Sequence, residues 1–391
     1  LAVIATTLFC LFLAAIFAVP FMLTAFLPST SISLILGLPA IWVISEWVRS
    51  WVFTGFPWLY AGYSHTETWL NGWAPIGGVL SLSFFSALTA MLFLWFVQGM
   101  GQRRSTLSLS VILIVLTISG YLLQQVNWTK DIGEPLTVAL IQPNIAQNEK
   151  WSVEKRRAIL TQLAAQTEAY WGHDIIIWPE AAVPSTPKRI PVFMQNLERK
   201  ANDSGSTLLT GIITQDGEQG RYYNSVLAVG DQSGQYHKTR LVPFGEYVPL
   251  ESLLRGLIQF FDLPMSSLSV GPSNQIPLTV QKQLIATAIC YEVVYPDLVA
   301  RNTREASLIV TVSNDTWFGE SLGPLQHMQM VQMRALENAK PIIRGTNNGI
   351  SGLVDQRGNI YGRMDQNSID ELSSVVQPRA GQTPFSITGS W

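Results

Sequence analysis

Three side chains able to make and break an acyl bond stand at the ends of apolar, strand-like runs. Glu180 follows Asp174-Ile-Ile-Ile-Trp178 and Pro179, Lys238 follows His237 at a strand-like turn, and Cys290 closes Gln283 to Ile289. The ends of buried strands open into crevices, so polar residues there are placed for chemistry. A thiol attacks a carbonyl carbon as its thiolate, and it needs a base. It also needs positive charge aimed at the developing oxyanion. Glutamate can take the proton, the lysine ammonium can hold the oxyanion, and the resulting thioester then waits for a second nucleophile. Singly, each residue has a plainer reading: a lone strand-end cysteine is more often a packed thiol, and a lone lysine a surface base paired with a carboxylate. The three together supply one complete reaction.

The elements that must position them alternate along residues 130–380. Leu136 to Gln142 is an apolar strand, and the charged stretch 151–171 is helix-forming. Residues 174–178 form a second strand. Ser206 to Thr214 and Tyr222 to Val229 read as a pair joined by the polar turn Gln215–Arg221. Strands follow at 283–289 and 307–312, then a helix at 323–339. Strands at 341–344, 351–355 and from Ile360 onward close the pattern, with Arg357-Gly358-Asn359 as a hairpin turn. Alternating strands and helices predict a layered α/β domain.

Residues 1–125 are different in kind. The chain of 391 residues is 48 % hydrophobic and 13 % charged, against roughly 25 % charged in ordinary soluble domains, and the deficit falls in this first part. Apolar runs at about 1–27, 32–54, 76–98 and 106–123 each approach the ~20 residues a spanning helix needs, with Pro20 marking a kink. Many of the 13 tryptophans sit at the ends of these runs, as in a bilayer interface belt. The basic pair Arg103-Arg104 makes the 99–105 loop cytoplasmic, so everything after about residue 124 is expected outside, as is the aromatic-rich loop 55–75. Glu46 and Arg49 interrupt the second run. Three apart on one helical face, they either pair with each other or meet a lipid headgroup. The chain opens inside an apolar run, so residues before it are expected, and 381–391 reads as a linker to a further membrane helix.

A formal net charge of −2 offers no basic stripe for nucleic acid. Cys10 and Cys290 lie in different parts and read as free thiols. The four histidines (65, 173, 237, 327) are scattered without metal-ligand spacing, and no phosphate-binding glycine loop is present. No metal or cofactor is expected. The methionines 328, 330 and 333 read as core or membrane-facing packing.

Taken in order, a set of stretches resembles the nitrilase, or carbon–nitrogen hydrolase, superfamily, and with the membrane part it resembles the bacterial apolipoprotein N-acyltransferases. The stretches are Gln142-Pro-Asn, Trp178-Pro-Glu180, Tyr223-Asn224-Ser, His237-Lys-Thr-Arg-Leu-Val-Pro-Phe-Gly-Glu-Tyr-Val-Pro249, Cys290-Tyr-Glu-Val-Val-Tyr-Pro296 and Ser313-Asn-Asp-Thr-Trp-Phe-Gly319. Gly323-Pro-Leu-Gln-His-Met-Gln329 leading into Arg334-Ala-Leu-Glu337 belongs with them, as do Glu46-Trp-Val-Arg and Phe53-Thr-Gly-Phe-Pro-Trp58.

The resemblance implies an α-β-β-α sandwich behind a transmembrane helical bundle, in a multi-pass protein of the bacterial inner membrane with a periplasmic catalytic domain. It places the catalytic glutamate, lysine and cysteine on Glu180, Lys238 and Cys290. Glu246 becomes a supporting acid, Tyr291 the source of an oxyanion N–H, Glu292 a second supporting acid, and Trp151 a lipid contact. Asn314, Trp317 and Phe318 either shape the pocket or belong to the core; Glu46 and Arg49 are possible substrate contacts. The implied reaction is ping-pong, in a monomer. A phospholipid gives its sn-1 acyl chain to the cysteine, and the α-amine of a diacylglyceryl-cysteine apolipoprotein receives it. A membrane-tethered amidase using water as the second nucleophile is the competing enzyme, and a non-enzymatic lipoprotein-binding scaffold the third reading. Four spans and an aromatic outer loop favour a lipid-borne donor over the amidase, and the intact Glu, Lys and Cys oppose the scaffold.

Overall fold

The protein is described here from a computed structural model covering residues 2–28, 30–98, 103–216, 220–243, 245–247 and 268–390. Within the resembling stretches, Phe244, Val248 and Pro249 fall outside the described residues, as do positions 99–102 of the expected cytoplasmic loop. The chain divides into two compact units: Leu1–Trp128 with Val294–Asp297 and Thr383–Trp391, and Thr129–Val293 with Leu298–Gln382.

The first unit is helical. It holds α1 (Ala2–Ala18), α2 (Ser31–Arg49), α3 (Ala74–Gln98) and α4 (Arg103–Gln124). Pro20 stands where α1 gives way to a tighter turn, Val19–Phe26, because proline lacks the amide donor an α-helix requires. Among the described residues three segments are long and apolar enough to cross a bilayer: Thr6–Phe26, Ile32–Arg49 and Trp69–Val97. The described apolar part of α4, Ser110–Gln124, is shorter than a span. The second run stops at Arg49 rather than near 54, and the chain turns through Phe53 at φ 51° and Gly55 at φ 87°. Glu46 and Arg49 turn to other partners than each other. Glu46 Oε1 instead accepts from Trp42 Nε1 at 3.0 Å and from the Ala61 amide at 2.8 Å, while Arg49 donates to the Trp58 carbonyl at 2.8 Å. The Arg49 guanidinium also faces the Tyr60 ring at 5.4 Å. Each charge therefore ends on the aromatic loop, whose main-chain groups offer better-directed partners than the neighbouring helical turn.

The second unit is built on two six-stranded sheets. In chain order its strands are β1 (Lys130–Asp131), β2 (Leu136–Gln142), β3 (Ile175–Ile177), β4 (Thr207–Gln215), β5 (Tyr222–Val229), β6 (Gly234–His237), β7 (Leu278–Val280), β8 (Gln283–Ile289), β9 (Leu308–Ser313), β10 (Ile342–Thr346), β11 (Gly352–Val354), β12 (Ile360–Arg363), β13 (Asp370–Val376) and β14 (Arg379–Ala380). One sheet runs β13-β2-β3-β4-β5-β6 and the other β12-β11-β10-β9-β8-β7, with β1 and β14 as a separate ribbon. The central strands β2, β3 and β4 are parallel, and so are β8, β9 and β10.

Alternation along the strands makes two cores. Val138, Leu140, Ile175 and Ile177 point toward Ile285, Ile289, Val310, Val312 and Ile343 of the other sheet. Ala139, Ile141, Ile176 and Trp178 point the opposite way, onto Ile159 and Leu163 of α6 (Val153–Thr167) and Leu197 of α7 (Pro191–Ser204). The short α5 (Gln147–Lys150) precedes α6, α8 (Pro296–Thr303) follows the cysteine turn, and α9 (Gly323–Asn338) is buried along nearly its whole length. A short helix α10 (Pro384–Thr388), near the end of the described chain, belongs to the first unit. The α-β-β-α sandwich is as the sequence led us to expect.

Candidate active site

Glu180, Lys238 and Cys290 are each presented by a stiff piece of main chain. Behind Glu180, Trp178 is fully buried and donates from Nε1 to Thr167 Oγ1 at 2.9 Å. Ala181 turns the chain at φ 44°. Gly211 of β4 presses against this turn: a Cβ there would lie 2.3 Å from the Pro179 carbonyl oxygen and 2.6 Å from Glu180 Cα, so only glycine fits. Lys238 follows β6; its amide donates to the Asn224 carbonyl at 2.8 Å and its own carbonyl accepts from Gly271 at 2.8 Å. Cys290 stands at the C-terminal end of β8 at φ 52°, a left-handed conformation that a non-glycine residue adopts only under constraint.

One buried carboxylate joins two of these pieces. Glu292, two residues past the cysteine, accepts from the Ile289 amide at 2.7 Å and from both the amide and hydroxyl of Thr239 at 2.7 Å. Arg240 N–H at 3.2 Å and the Tyr236 hydroxyl at 3.1 Å complete the set. The end of β8 is thereby tied to the segment carrying Lys238.

The functional groups themselves converge. Lys238 Nζ lies 2.9 Å from Glu246 Oε1 and 3.3 Å from Glu180 Oε1, at 1 % exposure. Asn224 Nδ2 donates to the same two oxygens, at 2.8 Å to Glu180 and 2.9 Å to Glu246. Glu180 Oε2 accepts from the Asn314 amide at 2.9 Å, and Glu246 Oε2 from the Val242 amide at 2.9 Å. Burial pulls the Lys238 ammonium toward neutrality, but Glu246 and Glu180 outweigh it and hold the pKa well above the usual lysine range. The Cys290 thiol is pushed up to about 12, by burial first and then by the Glu180 charge, with Lys238 pulling the other way. At neutral pH the site therefore holds a thiol and an ammonium, and attack by the sulfur requires that the thiol proton be handed over as the bond forms.

The remaining residues singled out in the sequence are dispersed. Asn314 adjoins Glu180 through its amide, and its side chain donates to Gln147 Oε1 at 2.9 Å. Tyr291 follows Cys290 directly in the turn Cys290–Val294. Trp151 packs half-buried on Ile213, Leu241 and Leu268. Trp317 is 61 % exposed, while Phe318 sets its ring edge-on to His327 at 6.0 Å. Glu46 and Arg49 belong to the helical unit and hold its loop as described above.

Two residues escaped the sequence reading. Asn224 is the amide that couples Glu180 to Glu246, and its only signal was its place in the Tyr223-Asn224-Ser stretch. Lys150 is 1 % exposed and donates from Nζ to the Glu180 carbonyl at 3.0 Å. Burial lowers its pKa to about 8, against the opposing pull of Glu180 and Cys290. Between Glu149 and Trp151 it reads as a surface helix residue, and nothing in its spacing marks it. No group of three or more His, Cys, Asp or Glu among the described residues is arranged to hold a metal ion.

An α-β-β-α sandwich that brings Glu180, Lys238 and the half-buried Cys290 together at strand ends has the form of a carbon–nitrogen hydrolase. Residues 137–383 match the carbon-nitrogen hydrolase family, and residues 1–92 match the apolipoprotein N-acyltransferase N-terminal domain. The chain is 40 % identical over 380 residues to the apolipoprotein N-acyltransferase of Vibrio parahaemolyticus, covering 94 % of this chain and 74 % of that protein. It is 44 % identical over 362 residues to the apolipoprotein N-acyltransferase of Azotobacter vinelandii, covering 91 % and 70 %. Among solved structures it is similar to Nit3 of Saccharomyces cerevisiae, a member of branch 10 of the nitrilase superfamily, at 18 % identity and a TM-score of 0.49 over 64 % of this chain and 92 % of that one. The chain belongs to the apolipoprotein N-acyltransferase family. It is an enzyme whose catalysis runs through a cysteine, and a multi-pass protein of the bacterial inner membrane with a periplasmic catalytic domain.

Proposed function

We propose that the protein transfers a fatty acyl group from a phospholipid to the amino group of an apolipoprotein through a thioester on Cys290. Glu180 takes the thiol proton as the sulfur attacks the sn-1 ester carbonyl. The Lys238 ammonium and the Tyr291 amide receive the developing oxyanion. When the tetrahedral intermediate collapses, the C–O bond breaks and the proton on Glu180 leaves with the glyceryl oxygen. The α-amine of a diacylglyceryl-cysteine then attacks the thioester, Glu180 takes its proton, and the C–S bond breaks. The proton returns to Cys290.

The observation that carries this reading is the sharing of Lys238 between Glu180 and Glu246 with Asn224 bridging the same two oxygens. One ammonium between two carboxylates stays charged while fully buried, which is the state an oxyanion needs. Glu246 takes the second share of that charge, so Glu180 is free to accept and return a proton without leaving Lys238 unpartnered. Glu292 supports the turn, and Trp151, Trp317 and Phe318 are assigned to contact with the acyl donor. Three spans among the described residues fit a donor that never leaves the bilayer.

The test uses the full-length protein in detergent with a phospholipid labelled in its sn-1 acyl chain. The label should move onto the protein, and then onto the α-amine of an added diacylglyceryl-cysteine peptide. Release mainly as free fatty acid with the peptide present would instead mark a hydrolase.

A further inference from the structure

Behind the nucleophile, and outside the set just described, lies a second buried polar group. Its centre is His327 of α9, fully buried, with Nε2 3.3 Å from the carbonyl oxygen of Cys290. Its Nδ1 lies 3.1 Å from an Arg344 guanidinium nitrogen and 3.2 Å from Asp315 Oδ1. The same guanidinium nitrogen donates to Asp315 Oδ2 at 2.7 Å, and Arg344 Nε donates to the Ile350 carbonyl at 3.2 Å. Ser313, at the end of β9, donates to Asp315 Oδ1 at 2.6 Å. The chain makes room for this group: a Cβ at Gly349 would lie 2.1 Å from Asp315 Oδ2.

The partners fix the imidazole's tautomer. A carbonyl oxygen only accepts, so Nε2 must carry the proton that faces Cys290. With that proton on Nε2 and the ring neutral, Nδ1 accepts from Arg344, and its 3.2 Å approach to Asp315 Oδ1 is a contact and not a hydrogen bond. Burial, then Arg344, holds the His327 pKa below its usual range, and the ring is neutral at physiological pH. Asp315 is meanwhile kept ionised against its burial, by Arg344 first. The charges of Asp315 and Arg344 cancel locally, and the ring is left with one directed donor.

That donor meets the one residue whose conformation the reaction depends on. Cys290 sits at φ 52°, and this turn sets both where Sγ points and where the following Tyr291 amide points. We propose that His327 is a positioning residue: its Nε2–H, oriented by Arg344, which Asp315 anchors, holds the Cys290 carbonyl and so keeps the nucleophile's left-handed turn in register with Lys238. The inference rests on Cys290 being the nucleophile, as set out above. It assigns a task to a histidine that in sequence looked like one of four scattered ones.

The test exploits the two ring nitrogens separately. In His327→Gln the side-chain amide reaches the Nε2 position; in His327→Asn it reaches only the Nδ1 position. A purely structural link to Asp315 and Arg344 is therefore kept by Asn, whereas the contact with Cys290 is kept by Gln alone. Single-turnover acylation from phospholipid is measured in the full-length protein, with melting temperature as a fold check. The Gln variant should acylate within about fivefold of wild type, and the Asn variant at least tenfold more slowly than Gln. The phospholipid concentration for half-saturation should be the same in all three, because the loss is in the turn and not in lipid binding. Equal rates in the two variants, or a change confined to half-saturation, overturns the proposal. A wild-type protein that forms no thioester at Cys290 would instead remove the reaction on which it rests.

Discussion

Both units bury charged side chains, and they settle them in opposite ways. In the helical unit, Glu46 and Arg49 start one turn apart and end on separate main-chain groups, the Ala61 amide and the Trp58 carbonyl. In the catalytic unit, Glu180, Lys238 and Glu246 come from three distant segments and end on one another, with one amide bridging both carboxylates. Dispersal gives each charge partners of its own and ties a loop to a helix. Convergence accumulates charge in a small volume at a cost in stability, and such clusters concentrate at functional sites. The first arrangement is a fastener, and the second is a site.

The sharpest break of this contrast is Lys238. Lys238→Met should reduce single-turnover acylation by about a thousandfold, because an oxyanion donor contributes about 3 to 4 kcal/mol. Lys238→Arg should fail as well, since a planar fork cannot occupy the point an ammonium does. An acylation rate within tenfold of wild type in either variant would remove Lys238 from the chemistry.

Next in size is the thiol. With the Cys290 pKa pushed up to about 12, the thiolate fraction rises tenfold for each pH unit through the alkaline range. Alkylation at that residue, followed by peptide mapping, should climb about a hundredfold between pH 8 and pH 10 without levelling. A plateau near pH 8 would mean a preformed thiolate, and would take the base role from Glu180.

Lys150 lies between the two patterns, since it is buried beside the site but donates to a main-chain carbonyl. Lys150→Met should slow acylation about tenfold by loosening the turn at Glu180. It also has a pH signature. The folded-state pKa of about 8 is below the unfolded value of 10.5. Below pH 8 both states hold the proton, and the fold bears the full cost of a buried ammonium. Between pH 8 and pH 10.5 only the unfolded state holds it, so wild-type stability rises with pH by about 1.4 kcal/mol per unit relative to the methionine variant. Melting temperatures of the pair at pH 8, 9 and 10 should therefore move in the wild type's favour. A constant gap would show that Lys150 does not change its proton affinity on folding.

The smallest effect belongs to the helical unit. Arg49→Lys keeps the charge but loses the directed donor and the broad face over Tyr60, and should lower the melting temperature by a few degrees. Thioester formation should stay within about twofold. A loss of acylation as large as that of Lys150→Met would erase the distinction between fastener and site.

The strands carrying the chemistry were legible because their composition leaves no alternative. Ile175–Ile177 and Gln283–Ile289 are nearly all apolar, and each stops at a polar residue or a proline that marks its end. The buried helix Gly323–Asn338 was legible as a helix over 323–339, with Pro324 in its first turn. β13 was not, since Asp370–Val376 mixes exposed and buried positions with no clean alternation. Lys150 and His327 were hidden for a related reason. Their partners are the carbonyls of Glu180 and Cys290, and a backbone carbonyl leaves no trace in residue type. The same blindness left Glu46 and Arg49 open between pairing with each other and meeting a lipid headgroup, where their partners include the Ala61 amide and the Trp58 carbonyl.

The central claim is that acyl transfer passes through Cys290, and intact-protein mass spectrometry after incubation with phospholipid alone tests it most directly. About one fatty-acyl mass per chain should appear, map to Cys290, be released by hydroxylamine, and be absent from Cys290→Ala. An adduct on any other residue, or full transfer to acceptor peptide by Cys290→Ala, would contradict it.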